Sequence, residues 1–222
     1  MSDYLRLNRQ KILHGLLISF GLFVIVQSLI YVALMTLLPQ FEKGDPFDVI
    51  LLMVASSAGI SAFVMILALT TGFAEHQRKL NVFAKGSFAA LLKWGFVRVE
   101  LLTKNKLWLN EVAWIKELKG FLIVLNSNRK DYVEVTILVR HPSQLADTSK
   151  SILRNSELLV MDQGLQLNFI VHDYLTPDSS KMQEYISRIT DRLIELGVQP
   201  EQSTRPYEQH LIKSKLKRIQ VG

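Results

Sequence analysis

The chain has no cysteine among its 222 residues. That excludes a disulfide framework, a thiol nucleophile and a cysteine-ligated zinc site, and it fits a reducing compartment. Metal-ligand clusters are also missing: the histidines of the last two thirds, His76, His141, His172 and His210, stand far apart. There is no Gly-rich phosphate loop, no His-Glu-x-x-His and no Gly-x-Ser-x-Gly. His172-Asp173 has no nucleophile near it in sequence and reads as a polar strand edge. Neither an enzyme nor a cofactor is expected. Charge is absent from two long stretches, residues 12–38 and 49–73, which contain no Asp, Glu, Lys or Arg. A proton-driven motor, a proton relay or a voltage sensor needs ionisable groups within the membrane, so these functions are disfavoured.

Both uncharged stretches are strongly apolar, and each exceeds the roughly 20 residues an α-helix needs to cross a hydrocarbon core. They predict a transmembrane hairpin, with residues 1–74 as a membrane domain and a short connector, 39–48, on the far side. A cleaved signal peptide is disfavoured because its apolar core is typically about 7–15 residues and ends at a small-residue cleavage site. Arg6, Arg9 and Lys11 precede the first span, and Arg78, Lys79 and Lys85 follow the second. The connector carries Lys43 beside Glu42, Asp45 and Asp48. The positive-inside rule then places both termini in the cytoplasm.

The spans contain polar and small residues in a pattern. Residues 55–62 read Ala-Ser-Ser-Ala-Gly-Ile-Ser-Ala, so that Ala55/Gly59 and Ser57/Ser61 have the four-residue spacing that lets helix backbones approach closely. One side of this surface is expected to meet the first span and another a second subunit. Gln27 lies near mid-depth in the first span, where an antiparallel partner would bring Ser57 or Ser61 close. A Gln–Ser hydrogen bond within one hairpin, or a ring of Gln27 side chains about an oligomer axis, would each satisfy it.

The net charge of +6 lies wholly after Phe73. Residues 75–94 read as a helix continuing out of the second span, weakened at Gly86 and stopped by Gly95. Strands are expected at 96–102, within 107–118, at 121–126 and at 132–141, the last alternating with Val133, Val135, Ile137 and Val139 on one face. A helix is expected from about Pro142 to Leu159, a strand at 165–175, and a helix opened by Thr176-Pro177. In that last helix Met182, Ile186, Ile189, Leu193 and Leu196 share a buried face, and Gly197 stops it. The fold class is therefore an α-helical transmembrane hairpin, a connecting helix over 75–95, and a cytoplasmic α+β domain over 96–200 with a mainly antiparallel sheet. Residues 201–222 read as a basic tail, solvated or frayed, or a short amphipathic helix.

Basic residues gather at predicted strand ends and turns: Lys104 and Lys106, Arg129 and Lys130, and Arg140 with His141. Trp108, Trp114 and Tyr132 stand near them. Arginine beside aromatic rings suits phosphates and bases, so these six residues are the candidate ligand-binding set. Gln27, Ala55, Ser57, Gly59 and Ser61 are the candidate packing set of the spans.

The layout of a short membrane hairpin, a connecting helix and a compact basic α+β domain resembles the small membrane effectors of prokaryotic antiviral signalling, including CRISPR-associated proteins that respond to cyclic oligoadenylates. The resemblance spans the chain in architecture and carries over no individual residue. It implies a homo-oligomer in the bacterial inner membrane that binds a cyclic oligonucleotide or another phosphate-containing ligand and perturbs or opens the bilayer. Double-stranded nucleic acid is not an expected partner. The competing expectation is a membrane-anchored adaptor or structural subunit of a bacterial envelope complex.

Overall fold

A computed structural model describes residues 1–37, 45–84, 86–127, 132–140, 159–161, 164–170 and 178–221. They form two compact units: Met1–Glu75 with Thr103–Leu109, and His76–Leu102 with the rest of the chain from Asn110.

The first unit is built on α1 (Ser2–Leu37) and α2 (Pro46–Ala84), the latter running on through His76 into the second unit. Both helices are long and apolar enough to cross a membrane. At 1.5 Å per residue they measure roughly 54 and 58 Å. α2 starts three residues before the predicted span. Asp45 accepts the Phe47 N–H at 2.8 Å and Pro46 takes the first helical position, where its missing N–H costs nothing. Contacts in reverse order make α1 and α2 antiparallel. The Tyr4 ring lies 5.8 Å from that of Phe73, Gly15 faces Met65, and Gln27 meets Ser56.

Two glycines set how closely these helices approach. A Cβ at Gly15 would lie 2.5 Å from Met65 Cε, the mobile end of a flexible side chain. A Cβ at Gly72 would overlap the Tyr4 hydroxyl, with Leu109 Cδ1 3.2 Å away, and Tyr4 is buried. Gly72→Ala is therefore expected to destabilise the unit by about 1–3 kcal/mol, whereas Gly15→Ala is nearly neutral because Met65 can turn aside. Thermal unfolding of the full chain in detergent compares them; equal losses would refute the difference.

The second unit centres on a six-stranded sheet of order β1-β2-β3-β4-β6-β5, antiparallel throughout. The strands are β1 (Val97–Leu101), β2 (Glu111–Leu118), β3 (Phe121–Asn126), β4 (Tyr132–Leu138), β5 (Leu159–Met161) and β6 (Gly164–Ile170). Lys119 and Gly120 close the β2–β3 hairpin with φ of 53° and 86°, the two positive values a tight type I′ turn requires. Helices α3 (Gly86–Lys93), α4 (Ser179–Glu195) and α5 (Arg205–Val221) complete the unit.

β3 and β4 are buried on both faces. Val133, Val135 and Ile137 are shielded, and so are Glu134, Thr136 and Leu138 behind them. Trp114 stacks 4.0 Å from Phe83 at the end of α2, on the face that holds Val112 and Leu125. On the opposite face α5 buries Tyr207 and Leu211, and the Tyr207 hydroxyl accepts a hydrogen bond from Asn126 Nδ2 at 2.8 Å. Residues 205–221 are thus a docked helix and not a frayed tail.

Other expectations shift in detail. Over the stretch 75–94, expected as a helix, α2 is described through Ala84 and α3 from Gly86 to Lys93, and Lys85 lies outside the described residues. Trp108 is not on a strand, because β2 begins at Glu111. Leu159, the expected end of a helix, belongs to β5, which the sequence did not suggest. Residues 142–158, Thr176 and Pro177 lie outside the described residues. α4 opens at Ser179, capped by Asp178, whose carboxylate accepts the Ser180 N–H at 3.1 Å and is held below the usual range chiefly by that bond. Met182, Ile186, Ile189 and Leu193 form its buried face as expected, whereas Leu196, expected with them, is the half-buried C-cap. Gly197, at φ 68°, donates to Ile194 O, and Val198 donates to Leu193 O, which completes a Schellman stop.

Candidate functional site

α2 enters the second unit with two polar anchors followed by two apolar ones. His76, Lys79, Val82 and Phe83 fall at three-to-four-residue intervals and are all buried. Lys79 is 2 % exposed, and its Nζ lies 2.6 Å from Glu111 Oε2 at the first residue of β2. Lys215 of α5 pairs with the other oxygen, Glu111 Oε1. Burial by itself would raise the Glu111 carboxyl. The Lys79 and Lys215 ammoniums and their hydrogen bonds outweigh it and lower the pKa from 4.5 to about 2. One carboxylate thus joins a strand, the end of α2 and the C-terminal helix.

The neighbouring Arg78 makes a second connection. Its Nη2 donates to the Ser127 carbonyl at 2.5 Å, and its Nη1 lies 3.4 Å from the Ser127 hydroxyl. Asn126 Oδ1 accepts the Ser127 N–H at 2.8 Å, so the residue that leads out of β3 is held from two sides. Leu102, fully buried, sits at φ 64°, a region that disfavours a branched residue, and its N–H donates to Glu208 Oε2 of α5 at 3.0 Å.

The six candidate ligand-binding residues do not gather into one set. Lys104 and Lys106 are exposed and lie in Thr103–Leu109, part of the first unit. Arg140 is exposed just beyond β4, and its N–H donates to Gln199 O at 3.1 Å. The meander places that end of β4 opposite the sheet end where β3 runs into Ser127. An antiparallel meander reverses direction at each turn, so Arg140 and the β3–β4 turn cannot share an end. Arg129, Lys130 and His141 lie outside the described residues.

In the spans, Gln27 Oε1 accepts from the Ser56 hydroxyl at 3.0 Å. The partner is neither Ser57 nor Ser61, the expected residues, but Ser56, one position from the first. Ser57 and Ser61 are 0 % and 2 % exposed, and their hydroxyls have no hydrogen-bond partner among the described residues. Ala55 and Gly59 lie on the open side of α2, where a Cβ at Gly59 would touch nothing.

Sequence reasoning missed Lys79, Glu111 and Lys215. Lys79 carried a signal, its place on the 76–79–82–83 spacing that marks a buried helix face. Glu111 and Lys215 carried none, since their partners are distant in sequence. Among the described residues no group of three or more His, Asp or Glu could hold a metal ion. No protein-family model, curated protein or solved structure matches the chain.

Proposed function

We propose that the chain is an oligomeric membrane effector: α1 and α2 span the bacterial inner membrane with both termini in the cytoplasm, and the sheet domain binds an anionic messenger of cyclic-oligonucleotide type. Binding repacks the spans and makes the bilayer permeable. The observation that carries this reading is the Arg78–Ser127 connection. Arg129 and Lys130, the most suitable phosphate-binding pair in sequence, follow Ser127 almost directly, so a ligand drawn to them would pull on the same helix that enters the membrane. Any differential affinity for two arrangements shifts their populations, and roughly 5 kcal/mol reverses a 1:99 ratio almost completely.

Two features of the spans support a second arrangement. The hydroxyls of Ser57 and Ser61 are buried without partners, a cost of about 1–3 kcal/mol each that a repacked state can recover. The open Ala55–Gly59 side of α2 suits close approach of another copy. The large apolar side chains along both helices, among them Leu22, Leu29, Leu52 and Phe63, are exposed and suit contact with lipid.

Reconstitution in dye-loaded liposomes tests the proposal. Cyclic oligoadenylates are expected to release dye from vesicles that hold the protein and not from empty ones, and Gln27→Leu or Gly59→Leu is expected to abolish release. An adaptor would tolerate both substitutions and leave the vesicles tight.

A further inference from the structure

The sheet of the second unit ends in β1 on one side and in β5 on the other. β5 has three residues, and so short an edge offers little to a further strand. β1 has five, Val97-Arg98-Val99-Glu100-Leu101, with no proline or glycine to interrupt an added ladder. β2 pairs with one side of it, and among the described residues no hydrogen bond reaches the other side. Arg98 and Glu100 are exposed, and neither has an ion-pair partner among the described residues. Val97 is 65 % exposed, ahead of Ile194 at 49 % and Leu216 at 48 %, the other exposed large apolar side chains described in this unit.

We infer that β1 pairs edge to edge, antiparallel, with β1 of a second copy of this chain. The contact rests on the oligomeric part of the reading above and on neither its messenger nor its effect on the bilayer. The order of charges along the strand selects this occupant. Val99 is the middle residue of β1. A two-fold axis at Val99 sets the two Val99 residues opposite each other, Arg98 of each copy opposite Glu100 of the other, and Val97 opposite Leu101. Residues directly opposite share a face with their Cβ atoms about 5 Å apart, so both charges are answered, each twice in the pair. Moving the axis to Arg98 or to Glu100 sets like charges opposite each other, which fixes the register. Edges guarded against pairing commonly carry lysine or proline, and β1 has neither. The pairing also covers Val97 and gives the outer backbone groups of β1 the hydrogen bonds that the single chain leaves to water.

The chain has no cysteine, so a single introduced thiol is the only one available to a cross-linker. Val99→Cys in the full chain in detergent, treated with a bis-thiol reagent of about 8 Å reach, is expected to give linked dimers, because the paired strands hold the two positions about 5 Å apart. Val97→Cys is the control. Its side chain is the more exposed, yet the two thiols would lie about 14 Å apart, four residues of strand at roughly 3.4 Å each, and the yield is expected to be about tenfold lower. In the Val99→Cys background, Arg98→Glu or Glu100→Arg turns both cross-strand pairs into like pairs and should lower the linked dimer about tenfold, whereas the two together exchange the charges and restore it to within about twofold. Equal linking through positions 97 and 99, single reversals without loss, or a double exchange without recovery overturns the inference. Native mass spectrometry of the unsubstituted chain in detergent separates the two failures. A monomer removes the oligomeric reading and this contact together. An oligomer in which position 99 links no better than position 97 loses only the β1 contact.

Discussion

Glu111→Gln is expected to destabilise the second unit by about 3 kcal/mol, at the lower edge of what removing one partner from a buried ion pair costs. Gln keeps the shape and one acceptor, so the loss isolates charge. It leaves the Lys79 ammonium, 2 % exposed, with no anion to offset its burial. Lys215, 22 % exposed, can turn toward water and adds less. For a chain of this size the loss corresponds to a fall in Tm of roughly 6–12 °C, readable from the fluorescence of Trp114 during heating in detergent. Adding Lys79→Met to Glu111→Gln should recover part of it, because the orphaned charge is then gone.

The same site gives a pH dependence of defined sign. Glu111 is lowered from 4.5 to about 2 in the folded chain, so folding favours the ionised form. Its contribution is complete above pH 4.5 and is lost as pH falls toward 2, amounting to roughly 3 kcal/mol. Wild type and Glu111→Gln should therefore differ most near neutral pH and approach each other below pH 3. A gap that stays constant from pH 7 to pH 3 would show that the carboxylate is not the source.

Arg78→Ala is expected to separate binding from response. If the messenger is held near Arg129 and Lys130, removing Arg78 leaves those side chains in place but cuts the two bonds from α2 to Ser127. Calorimetry with cyclic oligoadenylate should then give an affinity within a few-fold of wild type, while liposome dye release falls to the level without ligand. Arg78→Lys, which keeps the charge but not the planar fork, should restore only part of the response. Loss of affinity and release together would make Arg78 a ligand contact and not a connector. Unchanged release would remove Arg78 from the mechanism.

How much is legible in the sequence depends on how local each signal is. The two apolar runs can be read because a helix in water seldom goes so far without a charged residue. β3, β4 and the buried face of α4 follow from their two- and three-to-four-residue periods. Gln27 does find a serine on α2, and the shift of one position reflects the uncertain phase of two helices joined by a connector. Three-residue β5 is too short for any period to register. α5 is hard to see because its basic residues obscure Tyr207 and Leu211, four positions apart, as a single docking face. The candidate ligand set assumes that strand-end cations converge. Arg140 stands beyond the far end of β4, a strand's length from the β3–β4 turn, so the hairpin itself keeps the two apart.

The segment Thr103–Leu109 also constrains the order of events during synthesis. α1 and most of α2 are translated before it, yet it belongs to their unit, and β1 and β2 lie on either side of it. The helix pair must therefore wait for the first strand of the sheet to emerge from the ribosome before its last contacts can form. A chain stalled between residues 84 and 103 would hold α1 and α2 without the segment that completes their unit.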